Sequence, residues 1–524
     1  MKHFGLTALF VTTLLSVGGP IIAPAQAANP AEATQHPAKE NDLSGFDSEV
    51  EKIRQDWAVP GMAVVIVKGD QVLYAKGHGL RDVAQKLPMT ADTLLQIGSS
   101  SKSFTAATIA ALVEEGKLDW HKPVKTWLPA FKMHDNMATE RVSLLDMVSH
   151  RTGLPRHDLI WYNAPDLTPA EITQRLQYLE PATDFRTQFQ YNNIMFVAAG
   201  HVTEVVSGKS WQDTVREQLL GPLGMTRSNF TVTQSQRDGN FSLGYQKPVH
   251  GGVQNIPFTP THQIAPAGGI FSSVNEMAAW LRMHLNKGQY QGKQILSAAS
   301  IDFLHTPHML SDGGISAELV PTGYAPGWFA SFYRGHRRLE HSGIIDGFGS
   351  AMVIFPDDNI GIVVLANLDM TDAHHFTARA AADRLLHLPR VDWSARALEK
   401  LAKGINPHHM DLEPPEKRVA GTQPSHTLQD FTGSFEHPAY GTVTVQEQKG
   451  KLSFDFHGVV TPLQHWHYDM FVGERAAVNP LFELQRIQFN TALDGQVNSL
   501  QMDLQDGVQD IVFTRRVAAG KTKH

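Results

Sequence analysis

The chain has 524 residues, too many for one ordinary hydrophobic core, so its length predicts two domains. Hydrophobic residues make up 42% of the chain and charged residues 19%, which are the proportions of a globular protein. The net charge of −7 gives no reason to expect nucleic acid as a partner, and the absence of cysteine excludes disulfides and thiolate zinc sites.

Residues 1–27 have the features of a secretory signal peptide. Lys2 gives a positive start, residues 6–17 are apolar, and Ala25 and Ala27 are small residues at cleavage positions. Glycine and proline at 18–20 interrupt the apolar run before it reaches the roughly 20 residues of a membrane span. The sequence therefore predicts export to the periplasm or medium, with no stable membrane insertion. Residues 28–41 are polar and rich in alanine, which predicts a disordered leader.

The region 42–390 has strand patterns at both ends and helix patterns in the middle. The predicted elements are a helix at 46–57, strands at 62–67 and 72–75, helices at 101–113, 142–150, 194–206 and 275–285, strands at 338–341, 349–355 and 360–366, and a helix at 376–388. This layout predicts an α+β domain, in which both ends of the region build an antiparallel sheet and helices surround it.

Ser99 and Lys102 form the S-x-x-K pattern at the start of the helix over 101–113. Residues three apart share one face of a helix, and no other lysine in the chain follows a serine at this spacing. The surrounding residues are nearly all apolar, so the helix is expected to be buried. Burial lowers the pKa of a lysine, and a neutral lysine can take the proton from a serine nucleophile. The pair could also be a helix cap beside a solvated lysine.

Two further motifs follow in the same region. Tyr191 and Asn193 form the only Y-x-N of the chain, and a phenol and an amide could relay a proton and hold a lysine. His341 and Gly343 form an H-x-G pattern at the end of a predicted strand, where glycine lets a substrate backbone approach. His250 also begins an H-x-G pattern, but it lies in a loop with no strand after it, so His341 is preferred.

The chain beyond the sheet region changes in character. Residues 391–427 are expected to hold a helical segment and a proline-rich linker. Residues 428–516 then show only strand patterns, separated by turn signals such as Asp494-Gly495. This pattern predicts a small, separately folding all-β domain, either a barrel or a curled sheet.

With these motifs in this order, the chain resembles the penicillin-recognising serine hydrolases, which include class C β-lactamases, DD-peptidases, D-aminopeptidases and related esterases. The resemblance covers roughly residues 46–388 and implies the β-lactamase/penicillin-binding-protein fold with an all-helical subdomain. Residues 428–516, with Tyr440-Gly441 and the stretch 465–468, are similar to the lipocalin-like domain that some of these hydrolases carry.

The resemblance also implies roles for the motif residues. Ser99 is the expected nucleophile, and Lys102 and Tyr191 share the work of the general base. Asn193 and His341 are expected to contact the substrate. The backbone N–H groups of Ser99 and Ile344, the residue after Gly343, would form the oxyanion hole. This chemistry needs no metal and no cofactor, and the histidine pairs of the chain lack an obvious set of carboxylate ligands.

Several functions stay open at the level of sequence. Histidine replaces the usual lysine of β-lactamases in the third motif, which favours a peptidase or amidase acting on D-amino-acid peptides. A carboxylesterase, a class C-like β-lactamase and a penicillin-binding sensor with little turnover are the alternatives. The expected partner is a small-molecule or short-peptide substrate, and a homo-oligomer is compatible with the sequence. Since histidine titrates near pH 6.5 in water, the site should depend little on a substrate carboxylate at neutral pH.

Overall fold

The structure is a computed structural model that describes residues 43–247, 251–311, 315–404, 417–474 and 480–516. The α-helices in these ranges are α1 (Phe46–Asp56), α2 (Ser101–Glu114), α3 (Asn136–Arg141), α4 (Leu144–Val148), α5 (Pro169–Arg175), α6 (Asn193–Ser207), α7 (Trp211–Val215), α8 (Val232–Asp238), α9 (Ala265–Gly268), α10 (Val274–Leu285), α11 (Ala298–Leu304), α12 (Ala373–Leu385) and α13 (Trp393–Ala402).

The strands fall into two groups along the chain. The first group is β1 (Gly61–Lys68), β2 (Gln71–Asp82), β3 (Leu87–Pro88), β4 (Leu95–Gln96), β5 (Gly244–Gln246), β6 (Gln254–Ile256), β7 (Phe271–Ser272), β8 (Gln289–Tyr290), β9 (Lys293–Gln294), β10 (Leu319–Ala325), β11 (Trp328–Tyr333), β12 (His336–Ile345), β13 (Phe348–Phe355) and β14 (Ile360–Ala366). The second group is β15 (Gly433–His437), β16 (Gly441–Gln448), β17 (Lys451–Phe456), β18 (Val459–His467), β19 (Met470–Gly473), β20 (Arg486–Thr491), β21 (Val497–Met502) and β22 (Ile511–Arg515).

The largest sheet joins the two ends of the first region, as the sequence predicts. Its antiparallel strands run in the order β10-β11-β12-β13-β14-β1-β2-β3. Every residue of β13 and β14 is buried, because helices cover both faces of the sheet. Val64 lies in the core shared with α1 and α12, whereas its neighbour Val65 lies in the core shared with α2 and α10. Alternate side chains of one apolar strand thus enter two cores, which confirms the predicted α+β architecture.

Helices α3 to α9 lie between α2 and β7 in sequence and form the helical part of the fold. Local capping signals fix several of their ends. Ser143 caps α4 in a capping box with Asp146, and Gly208 ends α6 in the left-handed conformation, with a φ of 68°. The side chain of Asn192 accepts a hydrogen bond from the backbone N–H of Met195 at 2.8 Å. This cap sets the start of α6 and therefore the position of Asn193.

The C-terminal strands β15 to β22 form a closed barrel, in which each strand pairs with the next and β15 pairs with β22. The predicted all-β domain is therefore confirmed. Pro462 and several polar residues interrupt the strand pattern of β18. Val459, Thr461 and Leu463 nevertheless alternate into the barrel interior, and this burial outweighs the unfavourable proline.

Several sequence-based predictions concern residues outside the described ranges. These are the signal peptide at 1–27, the leader at 28–41, the part of the linker at 405–416, and the alternative motif residue His250. Among the helices that the structure describes, none combines the length and the apolar character that crossing a bilayer requires.

Candidate active site

Ser99 lies in a short 3₁₀ turn, Gly98–Ser100, that leads directly into α2. Gly98 has a φ of 52°, a conformation that glycine adopts with little strain. The turn leaves Ser99 partly exposed, whereas Ser100 and the first three turns of α2 are buried. The hydroxyl of Ser99 is thus the reactive group of this turn that is open to an incoming substrate.

Lys102 is fully buried and its amine has three close polar neighbours. Nζ lies 3.0 Å from Ser99 Oγ, 2.7 Å from Asn193 Oδ1 and 2.9 Å from the carbonyl oxygen of Ala267. The amide and carbonyl oxygens can only accept hydrogen bonds. A neutral amine would donate its two hydrogens to these oxygens, and its lone pair would face the hydroxyl of Ser99. This is the arrangement that a general base requires.

The surroundings of Lys102 favour the neutral amine. Burial and the charge of Arg156 hold the pKa of Lys102 well below its usual value, although Asp158 opposes them. The side chain is 0% exposed, and the rings of Tyr191 and Phe196 lie 4.8 and 5.4 Å from Nζ. The predicted burial of Lys102 is therefore what the structure displays, with aromatic walls in addition to apolar helix residues.

Tyr191 contacts both Ser99 and Lys102. Burial raises the pKa of its phenol, and the hydrogen bond with the Ser99 side chain lowers that pKa only in part. The phenol is therefore protonated near neutral pH and can donate a proton. The guanidinium of Arg156 lies 5.0 Å from the centre of the Tyr191 ring. Ser99, Lys102 and Tyr191 are thus brought together, as their motifs predict.

Asn193 connects Lys102 to an acidic residue that the sequence analysis missed. While Asn193 Oδ1 accepts from Lys102, its Nδ2 donates to Asp158 Oδ1 at 2.8 Å. Asp158 also accepts from Trp161 Nε1 at 2.8 Å, and two nitrogens of Arg156 lie 2.7 Å from its other oxygen. Since Asp158 orients the amide of Asn193, it fixes which atom of that amide faces the amine. The one sequence signal that could have suggested this role is the position of Asp158 just after the loop that ends at Pro155.

The side chain of His341, which the resemblance implies to contact the substrate, is buried and has two protein partners. Its Nδ1 donates to the carbonyl oxygen of Ser342 at 2.7 Å, so its Nε2 accepts from the hydroxyl of Tyr324 at 3.0 Å. Burial lowers the pKa of His341 to about 3, and a charged Lys102 would lower it as well. Both ring nitrogens already have protein partners, and the ring is neutral at physiological pH. The value near pH 6.5 that holds in water does not apply to this side chain, which is only 1% exposed. A neutral ring agrees with the expectation that the site depends little on a substrate carboxylate.

The backbone around Gly343 contacts the turn that carries Ser99. A Cβ atom at Gly343 would lie 2.0 Å from the carbonyl oxygen of Ile97 and 2.8 Å from the amide nitrogen of Ser99. A Cβ atom at Gly98 would in turn lie 3.1 Å from the amide nitrogen of Ile344. The two amides of the predicted oxyanion hole are thus on closely packed segments. Glycine at 343 is required for this approach.

Strand β12 also has a free edge beside Ser99. Its pairing with β11 ends at Glu340, whereas its pairing with β13 continues through Ile345. In the part of the chain that the structure describes, the residues after Glu340 therefore have no strand paired on the β11 side, and Ile344 is 47% exposed. An extended substrate can add to such an edge by backbone hydrogen bonds.

The loop at residues 150–155 is anchored by the buried carboxylate of Asp146. Asp146 is fully buried and accepts from Arg151 at 2.6 Å and from Arg186 at 2.7 Å. Burial alone would raise the pKa of Asp146, but the two arginines and the hydrogen bonds from Ser143 together outweigh it and leave the pKa below its ordinary value. Within the described residues, no cluster of three or more histidine, aspartate or glutamate side chains could hold a metal ion.

Comparison with known proteins adds family and fold relationships. The model of the family described as beta-lactamase matches residues 46–386, and that of a domain of unknown function (DUF3471) matches residues 417–515. An unguisins hydrolase of Aspergillus campestris is 28% identical over 438 residues, which cover 80% of this chain and 81% of that protein. The protein flp of Staphylococcus aureus is 26% identical over 62% of this chain and 63% of its own length.

Solved structures of similar fold include a penicillin-binding protein homologue and an amidase. The octameric penicillin-binding protein homologue of Pyrococcus abyssi has a TM-score of 0.59 and 22% identity, and the match covers 90% of this chain and 100% of that one. The D-amino acid amidase of Ochrobactrum anthropi SV3 has a TM-score of 0.55 and 20% identity, with 68% of this chain and 99% of that chain covered.

Proposed function

The chain belongs to the beta-lactamase family of serine hydrolases, and from that premise we propose that it cleaves amide bonds in D-amino-acid-containing peptides through an acyl-enzyme on Ser99. One observation carries the proposal. The amine of Lys102 lies 3.0 Å from Ser99 Oγ. Its hydrogens are donated to Asn193 Oδ1 and to the carbonyl oxygen of Ala267, which can only accept. Such an amine can receive the hydroxyl proton as the oxygen attacks a carbonyl carbon.

The reaction would then proceed in two stages. As Ser99 attacks, the amides of Ser99 and Ile344 stabilise the negative oxygen, and one such donor is worth about 3 kcal/mol of barrier. The protonated phenol of Tyr191 gives its proton to the leaving amine and regains one from Lys102. Water then hydrolyses the acyl-enzyme and restores the free hydroxyl. Asn193 keeps Lys102 in place throughout.

Three observations support a peptide or amide as the substrate. The free edge of β12 offers backbone hydrogen bonds to an extended chain. The neutral His341 supplies no positive charge for the carboxylate of a β-lactam. The relatives include an unguisins hydrolase, and the structures of similar fold include a D-amino acid amidase.

A substrate panel tests this proposal. The panel contains D- and L-aminoacyl amides, p-nitrophenyl esters of short acids and a chromogenic cephalosporin, with Ser99→Ala as the inactive control. We expect steady turnover of D-aminoacyl amides, slower β-lactam reaction and no turnover by Ser99→Ala. Fast cephalosporin hydrolysis would make the protein a β-lactamase, and turnover of esters alone would make it a carboxylesterase. A single burst without turnover would indicate a sensor.

We propose further that the protein is exported after removal of residues 1–27. Mass spectrometry of the mature protein should find a new N-terminus close to Ala28. An intact N-terminus on protein from the cytoplasm would contradict export.

Because one protein of similar fold is described as octameric, we also propose a homo-oligomer. Light scattering on the purified protein should give a multiple of the chain mass, and a monomer would refute this.

A further inference from the structure

The segment 156–162, which we call the bridging segment, lies between the barrel and the catalytic residues. It follows the loop that ends at Pro155 and contains a 3₁₀ turn, Asp158–Ile160. The segment contacts the barrel through His157 and Tyr162, near its two ends. It contacts the active site through Asp158 and again through Tyr162. These contacts join two parts of the chain that are separated by about 280 residues.

The first contact is at His157, which is 1% exposed. Tyr440 OH lies 2.7 Å from His157 Nδ1, and the backbone N–H of His157 donates to Gln505 Oε1 at 2.5 Å. His157 has a φ of 48°, in the left-handed region that is costly for a residue with a side chain. Such a conformation persists only where its neighbours hold it, and here two of these neighbours are barrel residues.

The second contact is at the other end of the bridging segment. The two ring nitrogens of His457 lie 2.9 Å from the carbonyl oxygen of Tyr162 and 3.1 Å from that of Tyr440. Burial lowers the pKa of His457, so its imidazole is neutral and donates its single N–H to one of these two oxygens at a time. His457 thus lies between the end of the segment and the barrel residue that holds its beginning. We call Tyr440, His457 and Gln505 the barrel clamp.

The bridging segment in turn contacts both halves of the catalytic machinery. Asp158 accepts from Asn193, which accepts from Lys102, so this chain of hydrogen bonds ends at the base. The hydroxyl of Tyr162 donates to Asp346 Oδ2 at 2.7 Å, two residues beyond Ile344. A displacement of the segment would therefore affect the amine that activates Ser99 and the strand that carries the oxyanion amide.

We infer that the barrel clamp positions the bridging segment for catalysis, so that the C-terminal barrel is a working part of the active site. Tyr440, His457 and Gln505 are positioning residues that act through Asp158 and Tyr162. This inference rests on the proposed acyl-enzyme at Ser99. It predicts that loss of a clamp hydrogen bond lowers turnover in a protein that stays folded and binds substrate normally.

The test uses the full-length protein and removes single hydrogen bonds. Tyr440→Phe removes the hydroxyl and keeps the ring, and Gln505→Leu removes the acceptor and keeps the shape. Gln505→Glu keeps an acceptor oxygen and serves as the conservative variant. Tyr468→Phe is the matched control, because Tyr468 lies on the same barrel and is 59% exposed. The measurements are kcat, KM, the rate of fluorophosphonate labelling of Ser99 and the thermal midpoint.

We expect Tyr440→Phe and Gln505→Leu to lower kcat and the labelling rate by roughly tenfold to a hundredfold, the usual effect of misplacing catalytic groups. KM should stay within about twofold, since ground-state binding is not altered. Gln505→Glu and Tyr468→Phe should retain the wild-type kcat.

Unchanged kcat in folded Tyr440→Phe and Gln505→Leu would overturn the inference. So would a loss that matches the unfolded fraction of the sample. If Tyr440→Phe does not fold, the comparison of Gln505→Leu with Gln505→Glu decides the question. A wild type that neither labels at Ser99 nor turns over any substrate would instead overturn the proposed function, and the inference with it.

Discussion

Replacement of Gly343 by alanine should distinguish the contribution of the oxyanion hole to catalysis from the contribution of this glycine to the stability of the sheet. The new Cβ would lie 2.0 Å from the carbonyl oxygen of Ile97, where ordinary contact begins at 3.4 Å. It would also lie 2.6 Å from Ser350 Oγ and 2.8 Å from the amide nitrogen of Ser99. Since two of these three atoms belong to the backbone, a rotamer change cannot relieve the clash. Strand β12 must move away from the Ser99 turn by about 1 Å or more.

The expected loss follows from the position of the two oxyanion amides. The displacement separates the amide of Ile344 from the amide of Ser99, so one donor no longer reaches the developing negative charge. The loss of one such donor costs about 3 kcal/mol of transition-state stabilisation, or 10²–10³-fold in kcat. Overpacking of the interior should also destabilise the fold by about 1–3 kcal/mol.

The assay measures kcat of Gly343→Ala for the best substrate at steady state, divided by the folded fraction of the sample. Gly361→Ala is the matched control, because its Cβ would lie 2.9 Å from Val67 Cγ2 and 3.1 Å from Leu281 Cβ, away from Ser99. We expect Gly361→Ala to lower the thermal midpoint and to keep kcat. If Gly343→Ala keeps more than about a tenth of the wild-type kcat, the assignment of the oxyanion hole is refuted.

Three further predictions concern the base, a buried carboxylate and His341. Lys102→Ala and Tyr191→Phe should each lower kcat by about 10²-fold or more, and the double variant should lose far less than the product because the two groups act as a unit. A multiplicative loss in stopped-flow acylation would contradict this. Asp146→Asn should destabilise the protein by about 1–3 kcal/mol at pH 7, because it leaves the partly buried charge of Arg151 and the more exposed charge of Arg186 without their partner. The folded-state pKa of Asp146 is lowered, so its contribution is present above the ordinary value of 3.8 and is lost as the pH falls through the lowered pKa. Urea unfolding should therefore find the gap between wild type and Asp146→Asn shrinking below pH 4, and a constant gap would refute the assignment. Because burial lowers the pKa of His341 to about 3, His341→Asn should leave the acidic limb of the kcat/KM profile between pH 5 and 9 in place, and a shifted limb would mean that His341 titrates there.

The sequence was sufficient to predict the residues that act through short, regular spacing. Ser99 and Lys102 share a helix face, so three positions of separation already predict their contact. Strand patterns at both ends of the first region, with helix patterns between them, predicted one antiparallel sheet surrounded by helices, and β13 and β14 are buried on both faces.

The sequence was insufficient wherever the contact depends on a backbone atom or on distant parts of the chain. The third partner of Lys102 is the carbonyl oxygen of Ala267, and a backbone oxygen leaves no signature in the side-chain pattern. Asp158 is one of many aspartates in loops, and only the folded position of Asn193 gives it a role. The contact of His157 with Tyr440 needs the packing of the barrel, which no local pattern contains.

The pairing of β1 with β14 has a consequence for how the protein is made. Met62 pairs with Ala366, so the central strands of the sheet come from opposite ends of a long stretch of chain. During synthesis, β2 can pair with one edge of β1 at once, whereas the other edge must wait for β14, since Ala366 lies 304 residues after Met62 (366 − 62). Contacts of such long range slow folding, and an apolar strand without its partner promotes aggregation. We expect refolding from denaturant to be slow and concentration-dependent in yield, and a nascent chain to need a chaperone until β14 has emerged.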